Sequence, residues 1–342
     1  MIDNSNYNTL INDAIAKNKL NFSDINGILI TGATGLIGAS VVDMLVKINE
    51  KQTKKFNIYI AARNIEKVKS VFKDYIEKEY FKYIPYDATK LVQFGDIKID
   101  YIIQGASNAS PDLYVKQPVE TLLGNVIGIK NILEYAKVNK LKKVIYISSS
   151  EVYGNDKNRD KLIEEDDYGK VDILEARSSY MLGKRAAENL CIGYLKEYGV
   201  NTVIIRPGHI YGPHISPTDM RASSEFLRDA SKNKKIIMNS PGKQLRSYCH
   251  AVDCASAIIY LLCNGKNGEA YNVSNKDSIV TIREFAERVS KLAQVEFKVG
   301  TDTNVAIAYS ALNAKKLENL GWHAVVDLDV GINEVLKDLG QH

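Results

Sequence analysis

Tyr180 and Lys184 lie four residues apart in the run Arg177-Ser-Ser-Tyr-Met-Leu-Gly-Lys184-Arg-Ala-Ala-Glu188, and Ser149 stands upstream at the end of an apolar, strand-like segment. A phenol, with a reference pKa near ~10, is a poor base at neutral pH unless a nearby cation stabilises its anion. On a helix, a lysine at i+4 presents that cation on the same face. A serine hydroxyl beside the tyrosine would hold an alcohol oxygen, so that the alcohol gives its proton to the phenolate as a hydride leaves its carbon. By itself the Tyr-x-x-x-Lys spacing also describes ordinary helix surface, so its meaning depends on the rest of the chain.

Near the start, Gly27-Ile-Leu-Ile-Thr31 runs into Gly32-Ala-Thr-Gly35-Leu-Ile-Gly38. An apolar strand, a Gly-x-x-Gly-x-x-Gly turn and a helix with Leu36, Ile37, Val41, Val42, Leu45 and Val46 on its apolar positions form a dinucleotide-binding arrangement. The glycines permit a tight turn and close approach to a pyrophosphate, and the helix N-terminus offers free N–H groups. Gly32, Gly35, Leu36, Ile37 and Gly38 are candidate cofactor contacts. The spacing resembles that of the extended short-chain dehydrogenase/reductase superfamily, whose members act largely on nucleotide-linked sugars. The resemblance implies an α/β protein: a Rossmann-type doubly wound parallel sheet with a smaller C-terminal α/β substrate-binding domain.

The elements that must position these residues can be read from composition and pattern. With 342 residues, 45% hydrophobic content and a net charge of +4, the chain has the composition of a globular enzyme and carries no basic stripe suited to nucleic acid. No stretch approaches a membrane span and the first residues do not read as a signal peptide, so the expectation is a cytoplasmic protein with no nucleic-acid or membrane partner. Cys191, Cys249, Cys254 and Cys263 lack Cys-x-x-Cys spacing and read as reduced, mostly buried thiols with no metal site. Residues 1–24 read as an N-terminal helical extension with Leu10, Ile11, Ala14 and Ile15 on one face. Strands are expected near Gly27–Thr31, Asn57–Ala61, Tyr101–Gly105, Val144–Ser148 and Thr202–Arg206, alternating with helices, which implies a parallel sheet covered on both faces. We place the dinucleotide-binding domain at 25–206, a returning segment near 245–263, and a mainly substrate-binding portion at 207–342. Helices are expected there near Ala222–Lys232, Val252–Cys263, Thr281–Leu292 and Leu328–Leu339.

The end of the second strand should select the cofactor, because an acidic residue there would accept hydrogen bonds from the adenosine ribose and repel a 2′-phosphate. This chain has Arg63, which tilts the expectation slightly from NAD towards NADP; Arg63 also reads as a solvated charge at a strand end. Further on, Ala106-Ser-Asn-Ala-Ser-Pro111, Tyr114, Pro118, Thr121-Leu122, Asn125, Gly128, Asn131 and Ser148-Ser-Ser-Glu-Val-Tyr-Gly154 resemble UDP-glucuronate decarboxylases and related sugar-nucleotide dehydratases and epimerases. The likeness runs from about Gly27 to Asn275. It implies a tightly bound NAD or NADP touched by Asp87, Ala88, Ala106, Ser107, Asn125, Tyr180, Lys184 and Pro207. It places Ser149 as the catalytic serine and Glu151 where relatives keep a functional glutamate. It also implies substrate contacts at Asn108, Ser150, His209, Arg221 and Arg246, with Arg246 as the diphosphate anchor and Arg221 second. Relatives are usually homodimers through a four-helix interface, here expected from Val119–Lys137 and Tyr180–Tyr198.

Three reactions share this equipment, each beginning with oxidation of a sugar carbinol. The decarboxylases hold the substrate carboxylate partly with an arginine ahead of a Leu-Gly-Trp segment; the run from Asn304 to Leu320-Gly-Trp322 contains none, and a buried carboxylate without a partner is costly. A 4,6-dehydratase needs a base at C5 and an acid for the leaving hydroxyl; Glu151 is offered for the base, and Ser150 stands in the acid's position. An epimerase needs only Ser149, Tyr180, Lys184 and room for the ketone to turn over, and it is the leading expectation. The substrate would be a nucleoside-diphosphate sugar or a related polyol, since His209 stands where relatives usually have asparagine. Glu151 also reads as a strand-end carboxylate facing a helix N-terminus. A different class, a non-catalytic NAD(P)-binding sensor, would have no need of Ser149, Tyr180 and Lys184 together, and a simple reductase would consume NADPH stoichiometrically.

Overall fold

Seven parallel strands, fed by the alternating apolar segments, form the central sheet in the order β10-β6-β5-β4-β1-β2-β3. The structure, a computed structural model, describes residues 5–22, 24–92, 94–107, 109, 111–155, 161–302 and 309–340. In chain order, α1 (Ser5–Lys17), β1 (Gly27–Thr31), α2 (Leu36–Glu50), β2 (Asn57–Ala62), α3 (Ile65–Val71), β3 (Phe81–Pro85) and β4 (Tyr101–Gln104) make the first half of the sheet. Next come α4 (Pro111–Lys116), α5 (Pro118–Asn139), β5 (Lys143–Ile147), α6 (Ser179–Tyr198) and β6 (Thr202–Pro207). The remainder contributes β7 (His209–Tyr211), α7 (Ala222–Ser231), β8 (Ile236–Met238), β9 (Leu245–His250), α8 (Ala251–Asn264), β10 (Ala270–Val273), β11 (Ile279–Thr281), α9 (Ile282–Ala293), β12 (Phe297–Val299), α10 (Lys315–Leu320) and α11 (Leu328–Gly340).

Strands β1, β5 and β6 are buried along their whole length, which is why they read as continuous apolar runs. One face is covered by α1, α2 and α8 through Ile11, Val41, Val42, Leu45, Ile258 and Leu262. The other is covered by α5 and α6 through Ile129, Ile132, Leu133, Ala187 and Cys191. A third core, with Phe226, Leu227, Phe285, Val289, Ile332 and Val335, holds the C-terminal part together. Because the chain winds from β1 out to β3 and then crosses back to β4, the crevice at the C-terminal ends of β1 and β4 is a topological switch point, where doubly wound sheets bind ligands.

The structure adds elements that the sequence pattern did not show. β10 extends the large sheet beside β6, and β3 edges it beside β2. A small sheet, ordered β11-β9-β7, and a β12-β8 pair occupy the region expected to be irregular apart from its helices. Three-residue strands leave no periodic signal, so only their pairing defines them. The N-terminal helix packs on α2 and α8, with the Tyr7 hydroxyl donating to Asp43 at 2.9 Å.

Candidate active site

The glycine turn shows how backbone makes a cradle. Gly32 has φ of +67°, and a Cβ there would lie 2.6 Å from the backbone of Gly105, so the end of β1 closes directly on the end of β4. A Cβ on Gly38 would come 2.3 Å from the Gly32 carbonyl oxygen. Gly35 differs: its added Cβ would meet only the Gly32 oxygen, at 3.4 Å, so the space above the turn is open. No side chain caps α2, which leaves the N–H groups of Leu36, Ile37 and Gly38 to face that space. The Thr31 hydroxyl fixes the neighbouring loop, donating to Gln104 Oε1 at 2.7 Å and accepting from the Gly105 and Ala106 N–H groups at 3.1 and 3.0 Å. Ser107 Oγ donates to Asn125 Oδ1 at 2.9 Å, tying this loop to α5. Asn108 lies outside the described residues.

At the outer end of the crevice, Arg63 follows β2 and is exposed, while Asp87 follows β3. The Thr89 N–H and hydroxyl hold the Asp87 carboxyl below the usual carboxylate range, and the charges of Lys90 and Arg63 add to this. Asn131 on α5 donates to the carbonyls of Ala88 and Lys90 at 3.1 and 2.9 Å, which fixes the loop carrying Asp87 and Ala88. An open glycine turn, an uncapped helix and polar groups at the two ends of a groove fit a dinucleotide: the turn and helix would take its pyrophosphate, and Arg63 and Asp87 its adenosine.

At the inner end, Ser149 adopts an extended conformation after β5 and starts a 3-10 turn, Ser150–Tyr153, where its Oγ accepts from the Glu151 N–H at 3.2 Å. Gly183 lets α6 lie close on α5, since a Cβ there would sit 3.3 Å from the Leu122 backbone. That contact sets Tyr180 and Lys184 below the crevice, 5% and 3% exposed. The hydroxyls of Ser149 and Tyr114 lie beside the Tyr180 phenol and act on it as donors. Burial and the charge of Glu151 push that phenol up to about 12, against the opposing effects of those two hydroxyls and Arg221. Lys184 Nζ donates to the Ile147 carbonyl at 2.7 Å and lies 5.7 Å from the Tyr180 ring centroid. Burial takes the lysine down to about 7, partly opposed by Glu188. The helical spacing thus delivers the ammonium to the tyrosine's side of the helix, but burial weakens its charge, and its hydrogen bond goes to the β5 backbone. The protein's own groups therefore favour the neutral phenol; a bound cationic nicotinamide would favour the anion.

Glu151 faces both Tyr180 and Arg246 electrostatically. Burial raises its carboxyl, partly opposed by Arg177, whose Nη2 lies 3.4 Å from Oε1; Oε2 has no hydrogen-bond partner. Arg246, on β9, is 6% exposed and donates to the Leu245 carbonyl at 2.9 Å. Arg221 caps the start of α7 and is clamped by both oxygens of Asp219. His209 opens β7 edge-on to Tyr248, with ring centroids 5.8 Å apart; burial and the charges of Arg246 and Arg221 take it down to about 3, so it is neutral. Among the described residues, five of the nine buried side-chain polar atoms without a hydrogen-bond partner, Ser148 Oγ, Glu151 Oε2, His209 Nδ1, Gln244 Oε1 and Ser310 Oγ, belong to this cluster or to residues next to it. Ser310 bridges to Arg246 in the backbone, and Gln244 lies two residues before it. Buried polar atoms left unpaired cost ~1–3 kcal/mol each, so their concentration here marks a surface that a hydroxyl-rich ligand would satisfy.

Beneath the site, Arg206 at the end of β6 donates to both oxygens of Glu188 at 3.0 and 2.7 Å and to the Tyr153 hydroxyl at 2.9 Å, which locks α6, β6 and the Ser150–Tyr153 turn together. Pro207 follows it, buried at the mouth of the crevice. Ser149, Glu151, Tyr180, His209, Arg221 and Arg246 thus form one electrostatically coupled cluster, with the glycine turn between it and the Arg63–Asp87 end. Arg177, Asp219 and the pairing of Tyr114 with Tyr180 were not read from the sequence. Asp219 had a local signal, being two residues from Arg221; Arg177 and Glu151 are 26 residues apart and only the fold joins them.

A doubly wound sheet with a dinucleotide cradle leading to a buried Ser-Tyr-Lys cluster defines a nicotinamide-dependent enzyme. Residues 28–274 match the model of the NAD dependent epimerase/dehydratase family. The chain is 33% identical to UDP-glucuronic acid decarboxylase 3 of Arabidopsis thaliana, covering 91% of this chain and 88% of that one. It is 29% identical to UDP-glucuronic acid decarboxylase 1 of Danio rerio, covering 93% and 73%. In fold it is similar to UDP-glucose 4-epimerase of Thermus thermophilus in complex with NAD, with a TM-score of 0.78 at 21% identity over 92% of this chain and 98% of that one. It is also similar to dTDP-glucose 4,6-dehydratase of Bacillus anthracis in complex with NAD, at 0.76 and 22% over 92% and 97%. The chain belongs to the NAD dependent epimerase/dehydratase family.

Proposed function

We propose that this protein is a nucleotide-sugar epimerase that oxidises one carbinol to a ketone and returns the hydride to the opposite face. The observation that carries this reading is the buried cluster in which the Ser149 hydroxyl acts on the Tyr180 phenol and Glu151 couples Tyr180 to Arg246. Ser149 orients the substrate hydroxyl, and Tyr180 as phenolate takes its proton. Lys184 steadies β5 through the Ile147 carbonyl and lends the phenolate what charge it keeps. The bound nicotinamide supplies the hydride acceptor and gives the hydride back. Arg246 binds the diphosphate, with Arg221 as a second contact, and His209 presents its unpaired Nδ1 to a sugar or polyol hydroxyl. Arg63 favours NADP over NAD. We read the chain as a cytoplasmic homodimer pairing through α5 and α6, where Val119 and Leu123 are exposed.

A 4,6-dehydration is the second reading, favoured by Glu151, whose buried and partly unpaired carboxylate beside Tyr180 is suited to taking or giving a proton. Decarboxylation fits less well: the run before Leu320-Gly-Trp322, of which residues 303–308 lie outside the described structure, has no arginine to hold a substrate carboxylate. The test is incubation of the purified protein with UDP-, GDP-, CDP- and dTDP-sugars, with products identified by mass and NMR. Unchanged mass with inverted stereochemistry supports the epimerase; loss of water or of CO₂ overturns it in favour of one of the other two.

A further inference from the structure

Tyr114 has no role in the proposed reaction, yet it is the most intimate neighbour of its base. The two rings are stacked with centroids 4.2 Å apart and planes 9° from parallel, and both residues are buried. The Tyr114 hydroxyl acts on the Tyr180 phenol as a donor, opposing the rise that burial imposes. The Ser179 hydroxyl donates to the Tyr114 carbonyl at 3.4 Å, so the residue before Tyr180 also holds Tyr114. The short helix α4 is anchored in turn by the Thr121 hydroxyl and the Gln117 N–H, which donate to the Leu113 carbonyl at 3.5 and 2.8 Å. We propose that Tyr114 is a positioning residue for this reaction, fixing the Tyr180 ring by stacking and holding a second hydroxyl beside its oxygen.

The inference rests on the reading of Tyr180 as the base, and the geometry around that oxygen makes it specific. Lys184 spends its hydrogen bond on the β5 backbone, so Ser149 and Tyr114 are the hydroxyls that meet the phenol directly. A donor stabilises a phenolate only while it keeps its own proton. Burial, together with the nearby Tyr180 and Glu151, raises the Tyr114 phenol from its ordinary value, which favours its keeping that proton. Ser149 must also orient the substrate oxygen, whereas Tyr114 is free of that duty and can hold its bond throughout the cycle.

The test uses the full chain loaded with NAD⁺, with 3,5-difluorotyrosine, a more acidic phenol, placed at position 180 by genetic encoding and its titration followed by fluorine NMR. Tyr114→Phe keeps the stacked ring and removes only the hydroxyl; its midpoint should rise by about one to two pH units, the size expected for a hydrogen bond to an anion. Tyr114→Leu removes ring and hydroxyl together and carries the same expectation, so whichever variant keeps a cooperative melt decides the matter. An unchanged midpoint in a folded variant overturns the proposal. Failure of Tyr180 itself as the base is read separately, as undiminished turnover in Tyr180→Phe.

Discussion

The two ends of the crevice are built from different materials. The cofactor end is mostly backbone: three glycines, an uncapped helix and a threonine that locks two strand ends, with Arg63 and Asp87 near solvent. The reacting end is side chains, several of them titratable and buried, drawn from α4, the turn after β5, α6, β7 and β9. A backbone cradle tolerates little change of shape but carries almost no charge that can shift. The reacting end holds a phenol, a carboxylate, a lysine and a histidine all displaced from their ordinary pKa values by burial and by one another. The first end should therefore fail by steric blockage, and the second by altered protonation.

The largest effect belongs to the reacting end. Tyr180→Phe should lower turnover by ~10²–10⁴-fold, the range for loss of a general base, with nucleotide-sugar binding nearly unchanged by calorimetry. Arg246→Ala should weaken sugar-nucleotide binding by ~10–10²-fold through loss of a charge-assisted contact, seen as a raised KM; a defect confined to kcat would remove the anchoring role. At the cofactor end, Gly38→Ala forces a methyl to within 2.3 Å of the Gly32 oxygen and should lower stability by ~1–3 kcal/mol while weakening NAD⁺ binding, measured by thermal melts and titration. Arg63→Ala should reduce NADP⁺ affinity by ~10-fold and leave NAD⁺ affinity nearly unchanged; equal effects on both would make Arg63 a solvated charge.

The smallest effect lies outside the site and provides a control. His214 Nε2 lies 2.7 Å from Asp43 Oδ2, edge-on to Tyr7 and facing Glu334 and Asp338. Burial opposes its charge, but the charge and hydrogen bond of Asp43 together with the charges of Asp338 and Glu334 more than offset that, so the folded pKa is raised. The stabilisation is fully present below the unfolded pKa near ~6.5 and is lost as pH climbs through the folded value. Denaturant midpoints should fall over that window, and His214→Gln should flatten the trend.

The difference between the two ends also sets what the sequence discloses. Glycine spacing after an apolar strand is a local signature because backbone geometry is local, so the turn, the parallel sheet and its helical cover were legible. Tyr180 and Lys184 could be singled out from their spacing and Ser149 from the family resemblance, and the fold brings Ser149 and Tyr180 into one buried cluster. Their charges could not be read, since the spacing of Lys184 gives direction but not the burial that takes it down to about 7. Nor could the Arg177–Glu151 pair or the Tyr114–Tyr180 stack, which join segments far apart in the chain. The short strands β7, β8, β11 and β12 escaped notice because three residues carry no period.

The central claim is that the Tyr180 phenolate draws the proton as hydride leaves. Its most direct test is the rate of nicotinamide reduction in the first turnover, followed by absorbance after mixing the NAD-loaded protein with whichever sugar nucleotide it converts, across a range of pH. The rate should climb about tenfold per pH unit below the phenol's pKa, and that dependence should vanish in Tyr180→Phe. A rate independent of pH in the wild type, or the same climb in the variant, would contradict the account.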